Sequence, residues 1–239
     1  MQVHVVVAPV FATNCCVVVS GEGSPGSHAL VIDAGAGVAP QVIDLVERQG
    51  WQVQAVLATH GHVDHTWDAA KLCAHFGVPF WIHAADEYRL ADPFTTLMPA
   101  GAVPSHTVAA AIAGAVGAIG QSARDYQVPA PTRTFEAETT LDFGEVTLGA
   151  LHAPGHTEGS TIYLVPDAST PGGFETACTG DVLFAGSIGR TDLPGGDLPT
   201  MEKTLDMLKV KLAPELRLIP GHGPESTMAH EIKTNPYLR

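Results

Sequence analysis

The chain has 239 residues, a formal net charge of -13 and a hydrophobic fraction of 45%. That length supports one large core. The negative field argues against a nucleic-acid partner, and no apolar run is long enough to span a bilayer.

The predicted elements begin with two short strands, Val3–Val7 and Cys15–Val19, separated at Pro9. This N-terminus lacks the basic stretch and single apolar block of a signal peptide, so cytoplasmic residence is the expectation. The four cysteines show no CxxC spacing and are expected to be reduced, buried thiols. Further Val- and Ile-rich runs bounded by Gly, Pro, Asn or Asp predict strands at Ala29–Ile32, Val53–Ala58, Pro79–His83, Thr147–Leu151, Thr161–Val165 and Leu216–Ile219. Helical spacing predicts helices at Val38–Gln49, closed by Gly50, at Trp67–Phe76 and at Leu198–Leu212, with Pro199 in its first turn. Sheet layers flanked by helices follow from this order. The segment Pro93–Pro131 stands apart. Its middle, VAAAIAGAVGAIGQSA, is almost uncharged, and two readings stay open: a small-residue helix packed on the body, or a flap over a site. With no repeat and no clear linker, residues 1–239 are expected to form a single domain carrying this Ala/Gly-rich insertion at 93–131.

The chemistry concentrates in THGHVDH, Thr59–His65. It follows a predicted buried strand, and Thr66 is placed as the N-cap of the next helix. His60 and His62 are two apart and project to the same side of an extended segment. Asp64 and His65 follow where the chain turns. Neutral imidazole and carboxylate are ligands for zinc, iron and manganese. Three more Gly-flanked turns at predicted strand ends each offer one such side chain: His156 in PGHTEGS, Asp181 in TGDVLF and His222 in PGHGP. His4, His28, His75, His83, His106, His152 and His230 lack that context and read as surface or core histidines.

The series His60-x-His62-x-Asp64-His65, then His156, Asp181 and His222, resembles the ligand series of the metallo-β-lactamase-fold hydrolases over nearly the whole chain. The resemblance implies an αββα sandwich: two mixed sheets face to face, helices outside, and the metals at one edge. It implies two divalent metal ions, zinc first, with iron and manganese also suited. His60, His62 and His156 would hold the first, and Asp64, His65 and His222 the second, with Asp181 bridging. Two such cations lower the pKa of a bridging water, giving a hydroxide that attacks a carbonyl. Asp64 would orient that nucleophile or carry its proton.

Within the fold, true β-lactamases lack a bridging Asp where this chain has Asp181. Nucleic-acid-processing branches need a further inserted domain. Quorum-signal lactonases share the ligands, with a Tyr in place of Phe184. Gly180–Asp197 is most similar to glyoxalase II, its short bacterial relatives and persulfide dioxygenases. This implies a small-molecule thioester substrate, with Arg190 and Phe184 as substrate contacts and a monomer or homodimer as the acting form. Arg190 stands where glyoxalase II grips a carboxylate of glutathione. Asp192 and Pro224 replace two of its aromatic residues and its C-terminal helical domain is missing, which opens the choice of thiol carrier. The alternative is a persulfide dioxygenase binding a single iron through His60, His156 and Asp181. A purely structural metal module fits less well, because such sites saturate the ion with four protein ligands.

Overall fold

The computed structural model describes residues 1–103, 106–167, 169 and 172–239. One six-stranded sheet takes β1 (Gln2–Val7), β2 (Asn14–Val19), β3 (His28–Ile32), β4 (Gln52–Leu57), β5 (Phe80–His83) and β6 (Thr132–Phe135) in sequence order. Its first two pairings are antiparallel and its last three parallel. The second sheet is built from β7 (Thr139–Phe143), β8 (Val146–His152), β9 (Thr161–Pro166), β10 (Phe174–Gly180), β13 (Arg217–Pro220) and β14 (Ser226–Thr227). It runs β14-β13-β10-β9-β8-β7, with β10 and β13 parallel and its other pairs antiparallel. A separate hairpin joins β11 (Leu183–Phe184) to β12 (Ser187–Ile188).

The strand alternation sets the layers. On β2, Cys16 and Val18 face the second sheet, while Cys15, Val17 and Val19 face the outer helices. On β3, Leu30 and Ile32 point inward and Ala29 and Val31 outward. Strands buried on both faces read as continuous apolar runs, which is why they were legible. The outer layer on the first sheet is α1 (Ala39–Gln49) and α3 (Ala69–Phe76), packed through Val42, Val46, Leu72 and Cys73. Both end on a left-handed glycine, Gly50 and Gly77, which closes the last turn without strain. On the second sheet lies α5 (Leu198–Lys211), capped by Asp197 accepting from the Thr200 N–H at 2.8 Å and buried through Met201, Leu205 and Leu208. The last helix, α6 (Met228–Thr234), joins the same layer through Met228. The αββα sandwich expected from the sequence is therefore the observed fold, and all four cysteines are free and buried in it. Among the described residues, no helix is long and apolar enough to cross a membrane.

Two local expectations change. Thr66 does not cap the helix. It ends a one-turn helix, α2 (Val63–Thr66), where its hydroxyl donates to the His62 carbonyl at 3.2 Å, and the predicted Trp67–Phe76 helix starts at Ala69. The segment 93–131 contains α4 (Val108–Ala118), seated on the body as the first of the two open readings had it. Ala109, Ile112 and Val116 pack with Val63, Trp67, Leu97 and Leu193, and the Trp67 indole N–H donates to Gln121 Oε1 at 2.6 Å. Trp67 is 1% exposed. An aromatic side chain buries roughly 150–250 Å², or about 4–6 kcal/mol of gross transfer energy. Since Trp67 adjoins the THGHVDH loop, α4 forms one wall beside that loop.

Candidate metal centre

Five strands point their C-terminal ends at one edge of the sandwich. After β3 comes Asp33; after β4, His60, His62 and then α2 with Asp64 and His65. His156 follows β8, Asp181 follows β10 and His222 follows β13. The two sheets are stitched together at this edge. The Thr161 N–H donates to the Thr59 carbonyl and the Asn14 N–H to Gly221 from one sheet to the other, and the Gly221 N–H donates to Gly180 within the second sheet, each at 2.8 Å.

All seven sequence-predicted donors meet there. His60, His62 and His156 form one group, Asp64, His65 and His222 a second, and His60, His65 and Asp181 a third, with the ligand atoms of each group within 4.8 Å of one another. Asp181 lies between the first two. Its Oδ2 is 3.6 Å from His156 Nε2, and its Oδ1 is 3.4 Å from His65 Nε2 and 3.6 Å from His222 Nε2. None of the seven histidines set aside earlier belongs to these groups. His75, for example, pairs with Glu47 at 2.9 Å, and His83 stacks on His152.

The donor set fits divalent cations on its own chemistry. His62 Nδ1 is 3.0 Å from His60 Nε2 and 2.9 Å from His156 Nε2. Three imidazole nitrogens crowded this way bring lone pairs to one point, and a neutral imidazole has only one N–H to share. Asp181 Oδ1 is buried without a hydrogen-bond donor. At Gly221 a Cβ would press on that same oxygen and on the His65 ring, so only glycine leaves the space open. These are nitrogen and oxygen ligands of the kind zinc, iron and manganese take.

Electrostatics divide the two halves. Burial, then neighbouring imidazoles, holds His60 well below its ordinary pKa, and burial does the same for His62. Burial opposes charge on His65 too, but the Asp33, Asp181 and Asp64 carboxylates outweigh it and raise His65 well above the ordinary value. His222 is raised in the same way, against burial, by Asp64 and Asp181. Burial works against ionisation of Asp64 and Asp181, yet the surrounding imidazoles keep both below the usual carboxylate range. The His60–His62–His156 half is closed to solvent, whereas His222 is 25% and Asp64 14% exposed at the side chain, so the mouth lies on the second half.

Several of the clustered imidazoles are supported from behind, as metal-binding imidazoles typically are, whereas His62 Nε2 is buried without a hydrogen-bond partner among the described residues. The His156 Nδ1–H donates to the Arg190 carbonyl at 2.7 Å and the His222 Nδ1–H to the Phe11 carbonyl at 2.9 Å. His65 Nδ1 is 3.0 Å from Asp33 Oδ2, an ion-pair distance without hydrogen-bond alignment. Asp33 also accepts from the Thr59 N–H at 2.7 Å and the Thr59 hydroxyl at 2.9 Å. Its φ of 63° is left-handed. Sequence reasoning missed Asp33 and Thr59. The available signal was a carboxylate set directly after the apolar run Ala29–Ile32.

The predicted substrate contacts are placed unequally. Phe184 stands beside the cluster, its ring 6.4 Å from that of His222. Arg190 is near it through its backbone, but its guanidinium is occupied: Nε and Nη2 each lie 2.7 Å from a carboxylate oxygen of Asp192. The basic residue expected to grip a carboxylate is thus already paired.

Comparison with known proteins agrees with this geometry. A solved structure described as BLEG-1 B3 metallo-beta-lactamase superposes with a TM-score of 0.76 at 26% identity, covering 99% of both chains. A di-iron-bound form of TTHA1623 superposes with a TM-score of 0.75 at 29% identity, covering 98% of this chain and 100% of the other. Hydroxyacylglutathione hydrolase GloC of Haemophilus influenzae is 28% identical over 100% of this chain and 98% of its own. The family model for the metallo-beta-lactamase superfamily matches residues 8–222, from the end of the first strand to the last histidine of the cluster. By that match the chain belongs to the metallo-beta-lactamase superfamily, as a metallo-hydrolase of the fold.

Proposed function

We propose that the protein hydrolyses the thioester of a small thiol, in the manner of an S-2-hydroxyacyl-thiol hydrolase, with two divalent cations, zinc first, as its cofactors. The observation that carries the reading is Asp181 lying between two donor triads, with one oxygen toward each. Two cations so held would lower the pKa of a water and polarise a carbonyl oxygen. The chain's own groups supply the rest. Asp64 Oδ2, 3.4 Å from His222 Nε2 and partly open to solvent, stays ionised and accepts a proton from an attacking water. Phe184 gives an apolar wall beside His222 for the acyl group or the thiol. The full-length similarity to a hydroxyacylglutathione hydrolase supports a thioester as the substrate. The Arg190–Asp192 pair favours a thiol carrier that does not depend on a free guanidinium.

The deciding experiment measures metal content on protein purified without added metal. It then compares S-lactoylglutathione hydrolysis, oxygen uptake with glutathione persulfide, and β-lactam cleavage. We expect thioester turnover that disappears in Asp64→Ala and His222→Ala. Oxygen uptake with one iron per chain and no thioester cleavage would replace this reading with the dioxygenase one. Turnover confined to the β-lactam would replace it with a lactamase one.

A further inference from the structure

Behind the closed half of the cluster lies a buried carboxylate that no ligand motif contains. Asp86 follows β5 and is 0% exposed. Its Oδ2 accepts from the Gly61 N–H at 2.8 Å and the Thr157 hydroxyl at 2.7 Å. Its Oδ1 accepts from the Gly159 N–H at 2.8 Å and faces Arg89 Nε at 3.3 Å. Gly61 sits between His60 and His62, and Thr157 directly follows His156. We infer that Asp86 and Arg89 are positioning residues that hold the His60–His62 and His156 loops in register and set cation affinity at that half alone. The inference rests on the metal-centre reading above.

Three observations carry it. The first is selectivity: the other half has separate supports, Asp33 for His65 and the Phe11 carbonyl for His222. The second is close packing. A Cβ on Gly61 would come within 2.9 Å of the Asp86 carbonyl oxygen and 2.8 Å of Arg89 Cδ, and one on Gly159 within 2.7 Å of Asp86 Cβ. Glycine at both places lets the two loops close onto one carboxylate. The third is the reach of Arg89, itself 0% exposed. Its Nη2 donates to Glu158 and, at 2.9 Å, to the Pro194 carbonyl. Pro194 belongs to the loop whose Arg190 carbonyl holds His156 Nδ1. His156 is therefore fixed both through its neighbour Thr157 and through the loop against its ring. Buried ion pairs add little net stability over apolar packing, so the better account of this one is register. Groups that orient metal ligands are typically worth about 10–100-fold in affinity.

The test titrates metal-free, full-length protein with zinc against a chromophoric chelator, which reads affinity without turnover. Wild type is expected to take up two ions in two affinity classes. His62→Ala removes one class and His222→Ala the other, which assigns them. Asp86→Asn turns an accepting oxygen into an amide donor facing other donors. It should weaken the His62 class by about 10–100-fold and leave the His222 class unchanged. Thr157→Val removes the hydroxyl that donates to Asp86 and also shares a hydrogen bond with Ser160 at 2.8 Å, and it serves if Asp86→Asn does not fold. It should weaken the same class by about tenfold, the worth of one hydrogen bond to a charged group. Equal weakening of both classes, in step with the melting temperature of the metal-free protein, would make Asp86 merely structural and overturn the inference. So would unchanged affinities in both variants. Wild-type protein that takes up no zinc removes the metal-centre reading and this inference with it.

Discussion

Lowering the pH should empty the two halves of the cluster unequally. In the metal-free protein His65 and His222 hold protons above the ordinary imidazole range, because Asp33, Asp64 and Asp181 outweigh their burial. Their Nε2 atoms are 3.2 Å apart, so one N–H can donate to the other's lone pair. A cation entering the Asp64–His65–His222 group must displace between about one and two protons. Each displaced proton changes apparent affinity about tenfold per pH unit, or about 1.4 kcal/mol. Affinity at this half therefore rises with pH, by roughly 10–100-fold per unit through neutrality. His60 and His62 are held neutral by burial well below the ordinary value, so they have no proton to lose there. The other half should therefore depend less steeply on pH. Chelator competition at several pH values, with calorimetry in buffers of different ionisation enthalpy, reads both the slopes and the protons released. Equal slopes at the two halves, or uptake of the second ion without proton release, would refute the reasoning.

Two further outcomes follow from particular contacts. Arg190→Ala should retain full metal content, since the Arg190 carbonyl, not its side chain, holds His156. Its guanidinium is spent on an exposed pair of a kind worth about 0.2–1 kcal/mol, so KM for S-lactoylglutathione should move by less than about fivefold. Tyr163→Phe should lower stability by about 0.5–1.5 kcal/mol in urea unfolding, since the buried hydroxyl donates to the Ala58 carbonyl at 3.0 Å.

The sequence disclosed the donors because each sits in a glycine-flanked turn at the end of an apolar run. That pattern is local, and four instances of it converge on one edge. The sandwich was legible for the same reason: β2 and β3 are apolar after their first residue, and β4 is apolar from Ala55 onward. β6 (TRTF) and β7 (TTLDF) were missed because they are short, threonine-rich and largely exposed. Asp33 and Asp86 were missed because a lone carboxylate near a strand end looks like an ordinary turn residue. Their partners, His65 and Thr59 for one and Gly61, Thr157 and Gly159 for the other, are assembled only by tertiary contact. Arg190 shows the converse. Its position in a motif was readable, but its pairing with Asp192 depends on rotamers that a motif does not encode.

The seven donors are divided between the sheets. His60, His62, Asp64 and His65 follow β4 of the first, whereas His156, Asp181 and His222 follow strands of the second. Each triad draws two donors from one side and one from the other, so neither sheet alone completes a triad. Cation binding is therefore thermodynamically coupled to the docking of the two halves. An ion present at a thousand times its dissociation constant would favour the docked state by about 4 kcal/mol. A cation held by these donors would act as a clasp as well as a reactive centre, and its occupancy would gauge how firmly the two sheets are closed.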